Sequence, residues 1–452
     1  ALRRRELNVV DLLDAACDRH ESFGAELHAY KLWSDELAQR QARAADIVFE
    51  TGIDLGPLQG LPVSVKDLYG VQGYPTYAGT PRRLPPEWER EGPLVRTLRR
   101  QLAVITGKTH TVELAFGGLG VNNHWGTPRN PWDAERHRVP GGSSSGAAVS
   151  LCEGSALLAL GTDTAGSVRI PASMTGTVGL KTSAERWPIE GIVPLSSTLD
   201  TAGVLARSVL DVAYAFAALD PEMTNAGRQP RPVDVVGLRV GIGDGCLWED
   251  CDPGVAEAVR TALDEAAARG ARLHDQPMPE AAEAIELLRA GSVVSAECDA
   301  FLSTRLPEWR DMLDPIVTSR IADGGSISAR EYLQRLQQLE TLADAVQERF
   351  QACDVIASPT VPITPPALDE VSELQSYRQC NFAALRNTCV ANYLGLCAIS
   401  TPVGLDRAGL PVGLQLLAPY GEEERLLAVA LAFEAVLGAP RERLGSPPLC
   451  IR

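Results

Sequence analysis

Residues 139–172, VPGGSSSGAAVSLCEGSALLALGTDTAGSVRIPA, set two glycine-serine clusters around one apolar run. The run at 155–160 reads as a strand, and the residues from Gly146 onward as a helix. Glycine accepts backbone shapes that other residues resist and brings backbone N–H groups close to whatever binds. Two such clusters flanking a short buried run mark a site rather than a core.

Working outward, strands and helices alternate. Residues 8–48 carry apolar positions at helical spacing and predict two helices. Residues 61–65, LPVSV, form a β-branched strand that delivers Lys66 at its end, followed by a helix at 96–101 and a strand at 103–106. Further on come a helix at 206–217, a strand at 238–242, a helix at 254–269 and a strand at 353–357. Strands at 397–401 and 412–417 and a helix at 422–437 complete the pattern. It predicts an α/β fold with a sheet covered by helices on both faces. With no internal repeat and no long linker, residues 1–452 are expected to form a single domain, with an N-terminal helical segment at 8–48. A mostly helical stretch at 279–350, broken at Gly324-Gly325, is expected to shape the substrate pocket.

Composition narrows the partners. Hydrophobic residues make up 45% of the 452 and charged residues 22%, enough for a sizeable core. The formal net charge of −16, with no basic run beyond Arg3-Arg4-Arg5, excludes nucleic acid as the expected partner. Ten cysteines are scattered without CxxC pairs, which suits reduced thiols and a cytoplasmic location. The first twenty residues lack a signal-peptide core, and no apolar run approaches the roughly 18 residues of a membrane span. No metal site and no cofactor are expected.

Three glycine-serine devices fail on their missing partners. Gly161–Ser167 has the G-x4-G spacing of a phosphate loop but not the lysine that must follow. Gly142-Ser143-Ser144-Ser145-Gly146 matches the nucleophile elbow, yet the only downstream histidine, His274, sits in RGARLHDQP, which reads as a surface strand. An S-x-x-K pair is absent, because the residues three before Lys31, Lys66, Lys108 and Lys181 are His28, Val63, Ile105 and Val178. What remains is a serine nucleophile whose base is not histidine. Lys66 is the candidate: emerging from an apolar strand, it loses solvation, which disfavours the ammonium. A lysine snorkelling at the sheet edge or paired with Asp67 is the plainer alternative.

The motifs decide between them. GLPVSVKD (60–67), GKTHTVELAFG (107–117), GTPRNPW (126–132), PGGSSSGAA (140–148), GTDTAGSVRIPA (161–172), GLKT (179–182) and AGLPVGLQLLAP (408–419) together resemble the amidase signature family of serine hydrolases. The resemblance implies a three-layer α/β/α fold with a large mixed sheet. It also implies cleavage of a non-peptide carbon–nitrogen bond through an acyl-enzyme. Ser167 takes the place of the nucleophile and Lys66 that of the base. Ser143, reached through a cis peptide bond, takes that of the proton relay between them. The backbone N–H groups of Thr164, Ala165, Gly166 and Ser167 fall at the family's oxyanion loop, and Ala115, Phe116 and Gly117 at its acyl pocket. His110 and Cys397 depart from the usual asparagine and proline. The wording is similar to the allophanate and carboxybiuret hydrolase branch, so a small-molecule amide, urea or carbamate is the expected partner, and a homodimer the expected oligomer. An A-type subunit of a tRNA-dependent amidotransferase, releasing ammonia from glutamine or asparagine, and an esterase or urethanase using the same residues, are the alternatives.

Overall fold

The computed structural model describes residues 1–226, 230–291 and 293–451. Its strands are β1 (Tyr30–Trp33), β2 (Pro62–Lys66), β3 (Val104–Thr109), β4 (Leu158–Asp163), β5 (Val178–Lys181), β6 (Thr201–Ala206), β7 (Arg239–Ile242), β8 (Arg272–Asp275), β9 (Val355–Pro359), β10 (Cys397–Leu405) and β11 (Pro411–Ala418). They form one 11-stranded mixed sheet in the order β1-β3-β2-β4-β6-β5-β10-β11-β9-β7-β8. Every residue of β2, β3, β4, β5, β6, β9 and β11 is buried, which requires cover on both faces of the sheet. The fold is the expected α/β class.

Two of the parallel pairings position the site. β2 lies between β3 and β4 and runs parallel to both, with Val65 opposite Leu160 of β4 and Lys108 of β3. Parallel neighbours end at the same sheet edge, so Lys66 and the loop after Asp163 emerge together. Helix Ser145–Glu153 leads into β4 and helix Arg169–Thr175 follows that loop.

The sequence expectations missed three strands. Helices Val9–Leu27 and Asp35–Glu50 occupy 8–48 as expected, but β1 lies between them and pairs antiparallel with β3. β5 and β6 carry Gly179 and Gly203, whose residue type dilutes a strand signal. Packing demands them, since an added Cβ would come 2.9 Å from Val168 O at Gly179 and 2.5 Å from Leu180 O at Gly203. The helix expected at 206–217 accordingly begins later, as Val209–Leu219.

The 279–350 stretch is helical as read: Pro279–Arg289, Val293–Arg305, Pro315–Gly325 and Ala329–Gln347. Gly324 lets two of these helices touch, because a Cβ there would lie 2.3 Å from the Ser295 carbonyl carbon. All ten cysteines are free. Among the described residues, no helix is long and apolar enough to cross a membrane.

Candidate active site

Lys66 ends β2 with its whole residue at 0% exposure. Its Nζ lies 2.7 Å from Ser143 Oγ and 2.7 Å from Thr162 Oγ1, and no carboxylate among the described residues pairs with it. Burial, only partly offset by the charges of Asp200 and Asp163, brings its pKa down to about 7. A large share of the amine is therefore neutral near neutrality. In that form it donates to Thr162 and can accept from Ser143.

The Gly142–Ser143 peptide bond is cis. Backbone hydrogen bonds seat the segment: Gly142 N donates to Gly118 O at 2.7 Å, and Val112 N to Ser143 O at 3.2 Å. Ser144 N donates to Ser167 O at 3.1 Å, which brings the two glycine-serine clusters side by side. The hydroxyl of Ser167 makes no hydrogen bond to a described residue, so the Ser143–Ser167 link expected of a relay is open in this structure. Catalytic hydrogen bonds are commonly long in the free enzyme and tighten around substrate.

Asp163 organises the loop that carries Ser167. Its carboxylate accepts from Gly166 N at 2.7 Å and Val168 N at 3.1 Å, and from Arg169 Nη2 at 2.8 Å and Nε at 3.0 Å. Burial alone would raise its pKa, but the Arg169 guanidinium and these bonds hold it down at about 2. Arg169 is clasped in turn by Thr388 O, Gln415 Oε1 and Asn392 Oδ1 at 2.8, 2.7 and 2.6 Å. Gly166 has φ +135°, and a Cβ there would lie 2.1 Å from Thr388 Oγ1, so no other residue fits. Of the four amides expected at the oxyanion position, that of Gly166 is thus engaged by Asp163. Those of Thr164, Ala165 and Ser167 have no hydrogen-bond partner among the described residues.

Ala115, Phe116 and Gly117 line one wall of a narrow cavity, about 30 Å³, with Thr164, Ala165 and Ser167 on the other. Leu114 and Ala115 hold left-handed backbone, φ +50° and +60°, at the turn that shapes this wall. Leu288, Val294 and Arg320, from three of the covering helices, close the cavity. A larger cavity, about 350 Å³ and lined by Arg19, Trp132, Cys152, Arg207 and Leu444, contains none of the expected site residues.

The elbow alternative fails on distance. His274 lies on β8, seven strand spacings from β4 in the sheet order. At about 4.8 Å per spacing that is roughly 34 Å. The paired-lysine alternative belongs to a neighbour: Asp67 binds Lys108 at 2.8 Å, not Lys66.

Arg320 gives no signal in the sequence. Its Nη1 donates to Phe116 O at 2.6 Å and its guanidinium stacks on the Phe116 ring at 4.1 Å. No described carboxylate forms an ion pair with it. Its helix is pinned to the turn that carries Ala115, Phe116 and Gly117, because Asp314 N donates to Glu113 Oε2 at 2.8 Å. Glu113 also meets His124 Nε2 at 2.9 Å, and burial raises its pKa to about 8. No local pattern announces the Arg320 and Asp314 contacts, which join residues about two hundred positions apart. Among the described residues, no group of His, Cys, Asp and Glu side chains could hold a metal ion.

Residues 11–427 match the Amidase family. The chain belongs to the amidase signature family. A 2-amino-5-chloromuconic acid deaminase of Comamonas testosteroni is 52% identical to this amidase signature protein over 448 residues, covering 99% of this chain and 97% of that one. The A-type subunit of the glutamyl-tRNA(Gln) amidotransferase of Acidothermus cellulolyticus is 34% identical, with 98% and 93% covered. A solved amidase structure superposes with a TM-score of 0.86 at 32% identity, covering 97% of this chain and 98% of that one. Membership makes this an amidohydrolase acting on carbon–nitrogen bonds. The allophanate and carboxybiuret branch finds no support in these relatives.

Proposed function

We propose that this amidase signature enzyme releases ammonia from a small carboxylic acid that carries nitrogen on its chain, an acid of the kind named for the Comamonas testosteroni relative. The observation that carries the proposal is one cavity holding both Ser167 and an Arg320 guanidinium that no described carboxylate pairs. A guanidinium set in an otherwise apolar wall is suited to a carboxylate, which it binds through paired, charge-assisted hydrogen bonds. The high identity to the deaminase along the whole chain supports the same substrate class.

In this reading Ser167 is the nucleophile, Ser143 the relay and Lys66 the base. Neutral Lys66 takes the Ser143 proton as Ser143 takes that of Ser167, and Ser167 Oγ bonds to the carbon that bears nitrogen. In a carboxamide that carbon is the carbonyl; on an amino-dienoic chain the iminium tautomer supplies it, already carrying the second proton that ammonia needs, and the oxyanion donors then serve the carboxamide alone. The amides of Thr164, Ala165 and Ser167 are the donors for an oxyanion, with Gly166 serving the turn. One such donor is typically worth about 3 kcal/mol of barrier. The proton on Lys66 returns through Ser143 to the nitrogen, the C–N bond breaks and ammonia leaves. Water, deprotonated by the same relay, then frees the product and restores Ser167. One water is consumed for each ammonia released, and the step balances without a cofactor.

The test is ammonia release by the isolated chain from 2-aminomuconic acid, a dicarboxylic acid monoamide, glutamine, a neutral aryl amide and an aryl carbamate. The acidic non-glutamine substrates are expected to lead the neutral ones in kcat/KM by at least about tenfold, the range of one charged hydrogen bond. Equal rates for acidic and neutral substrates would overturn the proposal. Turnover of the carbamate alone would restore the urethanase alternative, and of glutamine alone the amidotransferase one.

A further inference from the structure

A cavity of about 30 Å³ beside Ser167 admits little more than a water molecule or two. Leu288, Val294 and Arg320 bring the covering helices onto this cavity, so the contacts that fasten those helices bear on its shape. One set of contacts runs without a break from the cover to the oxyanion loop. Glu297, on helix Val293–Arg305, accepts from Ser196 Oγ, from Thr198 N at 3.2 Å and from Thr198 Oγ1. Tyr332 OH, on helix Ala329–Gln347, donates to the same carboxylate at 2.7 Å. The Leu195–Leu199 turn held by Glu297 is gripped from below by Asp200, whose Oδ2 accepts from Leu195 N at 2.8 Å and Ser196 N at 3.1 Å. The other carboxylate oxygen, Oδ1, accepts from Thr164 Oγ1 at 2.6 Å. Thr201, the next residue, ties the base of β6 to β4 by donating to Asp163 O at 2.7 Å.

We propose that Asp200 is a positioning residue that couples the covering helices to the oxyanion loop, aiming the Thr164 and Ala165 amides only when Glu297 holds the Leu195–Leu199 turn in place. The proposal rests on Ser167 being the nucleophile. The carboxylate accepts from two amides on Oδ2 and from one hydroxyl on Oδ1. An asparagine of the same shape would reverse the Thr164 bond, its NH2 donating to the hydroxyl, and would remove the negative charge. Asp200 is also the acid that acts most strongly on Lys66, and the groups facing it are Lys66 from β2 and Cys298 from the covering helix. Lys66 faces only one other acid, Asp163, which Arg169 neutralises.

The test measures kcat, KM, the pH profile and thermal unfolding for Asp200→Asn, Thr164→Val, Thr164→Ser and Glu297→Gln, with Ser167→Ala alongside. Thr164→Val keeps the backbone amide and loses only the hydroxyl. It is expected to lower kcat by about 10- to 100-fold with KM within about twofold, because an oxyanion contact is made only in the transition state. Thr164→Ser, which restores the hydroxyl, should return kcat to within about threefold of the parent. Asp200→Asn should match the kcat loss and also move the acid limb of kcat/KM to lower pH, since a charge that favours the Lys66 ammonium is gone. Glu297→Gln should raise KM as well as lower kcat, because it loosens the cover directly. If Asp200→Asn does not fold, Thr164→Val and its serine rescue decide alone. A kcat for Thr164→Val within about twofold of the parent, with Ser167→Ala inactive, would overturn the coupling and leave the proposed function standing. Turnover by Ser167→Ala would overturn the proposed function itself.

Discussion

β2 and β3 run side by side and parallel, and each shuts a lysine away from water, but the two ammonium groups meet different company. Lys108 is the register partner of Val65, so it points to the opposite face of the sheet from Lys66. Its Nζ lies 2.8 Å from Asp67 Oδ1, a carboxylate as buried as itself, and donates to Thr76 Oγ1 at 3.1 Å. Among the described residues, Lys66 hydrogen-bonds only to the hydroxyls of Ser143 and Thr162. The Lys108–Asp67 pair ties the ends of two strands. Lys66, without a carboxylate partner among the described residues, is the base of the proposed mechanism. Lys181 of β5 stands between them: burial lowers its pKa to about 8, but its Nζ donates to the carbonyl of Leu396 at 2.6 Å, which has no proton to pass on. In the proposed mechanism Lys66 ends the relay because the Ser143 hydroxyl is its neighbour.

The contrast between the lysines breaks most sharply at the relay's outlet. Ser167→Ala should lower turnover by at least about 10⁴-fold and abolish labelling by a fluorophosphonate. Label retained on Ser144 in that variant would revive the elbow. Next, Lys66→Met and Lys108→Met should separate activity from stability. Lys66→Met is expected to cost about 10²- to 10⁴-fold in kcat while unfolding no earlier than the parent, because it removes an amine whose burial is unfavourable. Lys108→Met leaves the Asp67 charge buried without its partner and should cost about 3–5 kcal/mol in denaturant unfolding. Equal unfolding curves for the two would erase the distinction.

The pH profile sharpens the same point. With the Lys66 pKa near 7 and the neutral amine as the active form, kcat/KM should fall about tenfold for each pH unit below 7 and level off above it. A profile flat from about pH 5 to 9 in stopped-flow turnover would exclude lysine as the base. The smallest expected effect lies at the far wall. Arg320→Met should raise KM for carboxylate substrates by about 10- to 100-fold, leave kcat nearly unchanged and spare neutral substrates.

How much of this could be read in advance follows from how local each signal is. LPVSV announces β2 and places Lys66 at its end, and the two glycine-serine clusters announce Ser143 and Ser167, because each signal lies within a few residues of the group it positions. The resemblance supplied their roles. Arg320, Asp200 and Glu297 were illegible for the opposite reason: an arginine or an acid on a polar helix or turn reads as a solvated face until the fold brings it to Phe116, Thr164 or Ser196. β1 was hidden inside a run of helical periodicity, and β5 and β6 by the glycines their packing demands. The amide of Gly166 shows a finer limit, since the resemblance places it among four oxyanion donors and only the fold reveals that Asp163 has claimed it.

The Arg169 clasp also bears on the birth of the enzyme. Lys66, Ser143 and Ser167 leave the ribosome first, yet the partners that lock their loop, Thr388, Asn392 and Gln415, follow more than two hundred residues later. At ribosomal speeds of about 5–20 residues per second, the nascent polypeptide carries Ser167 for about 12 to 50 seconds before the lock is complete. Hydrolytic competence therefore waits for the segment from Thr388 to Gln415, and a translation product cut short before it would carry the reacting side chains without the means to use them.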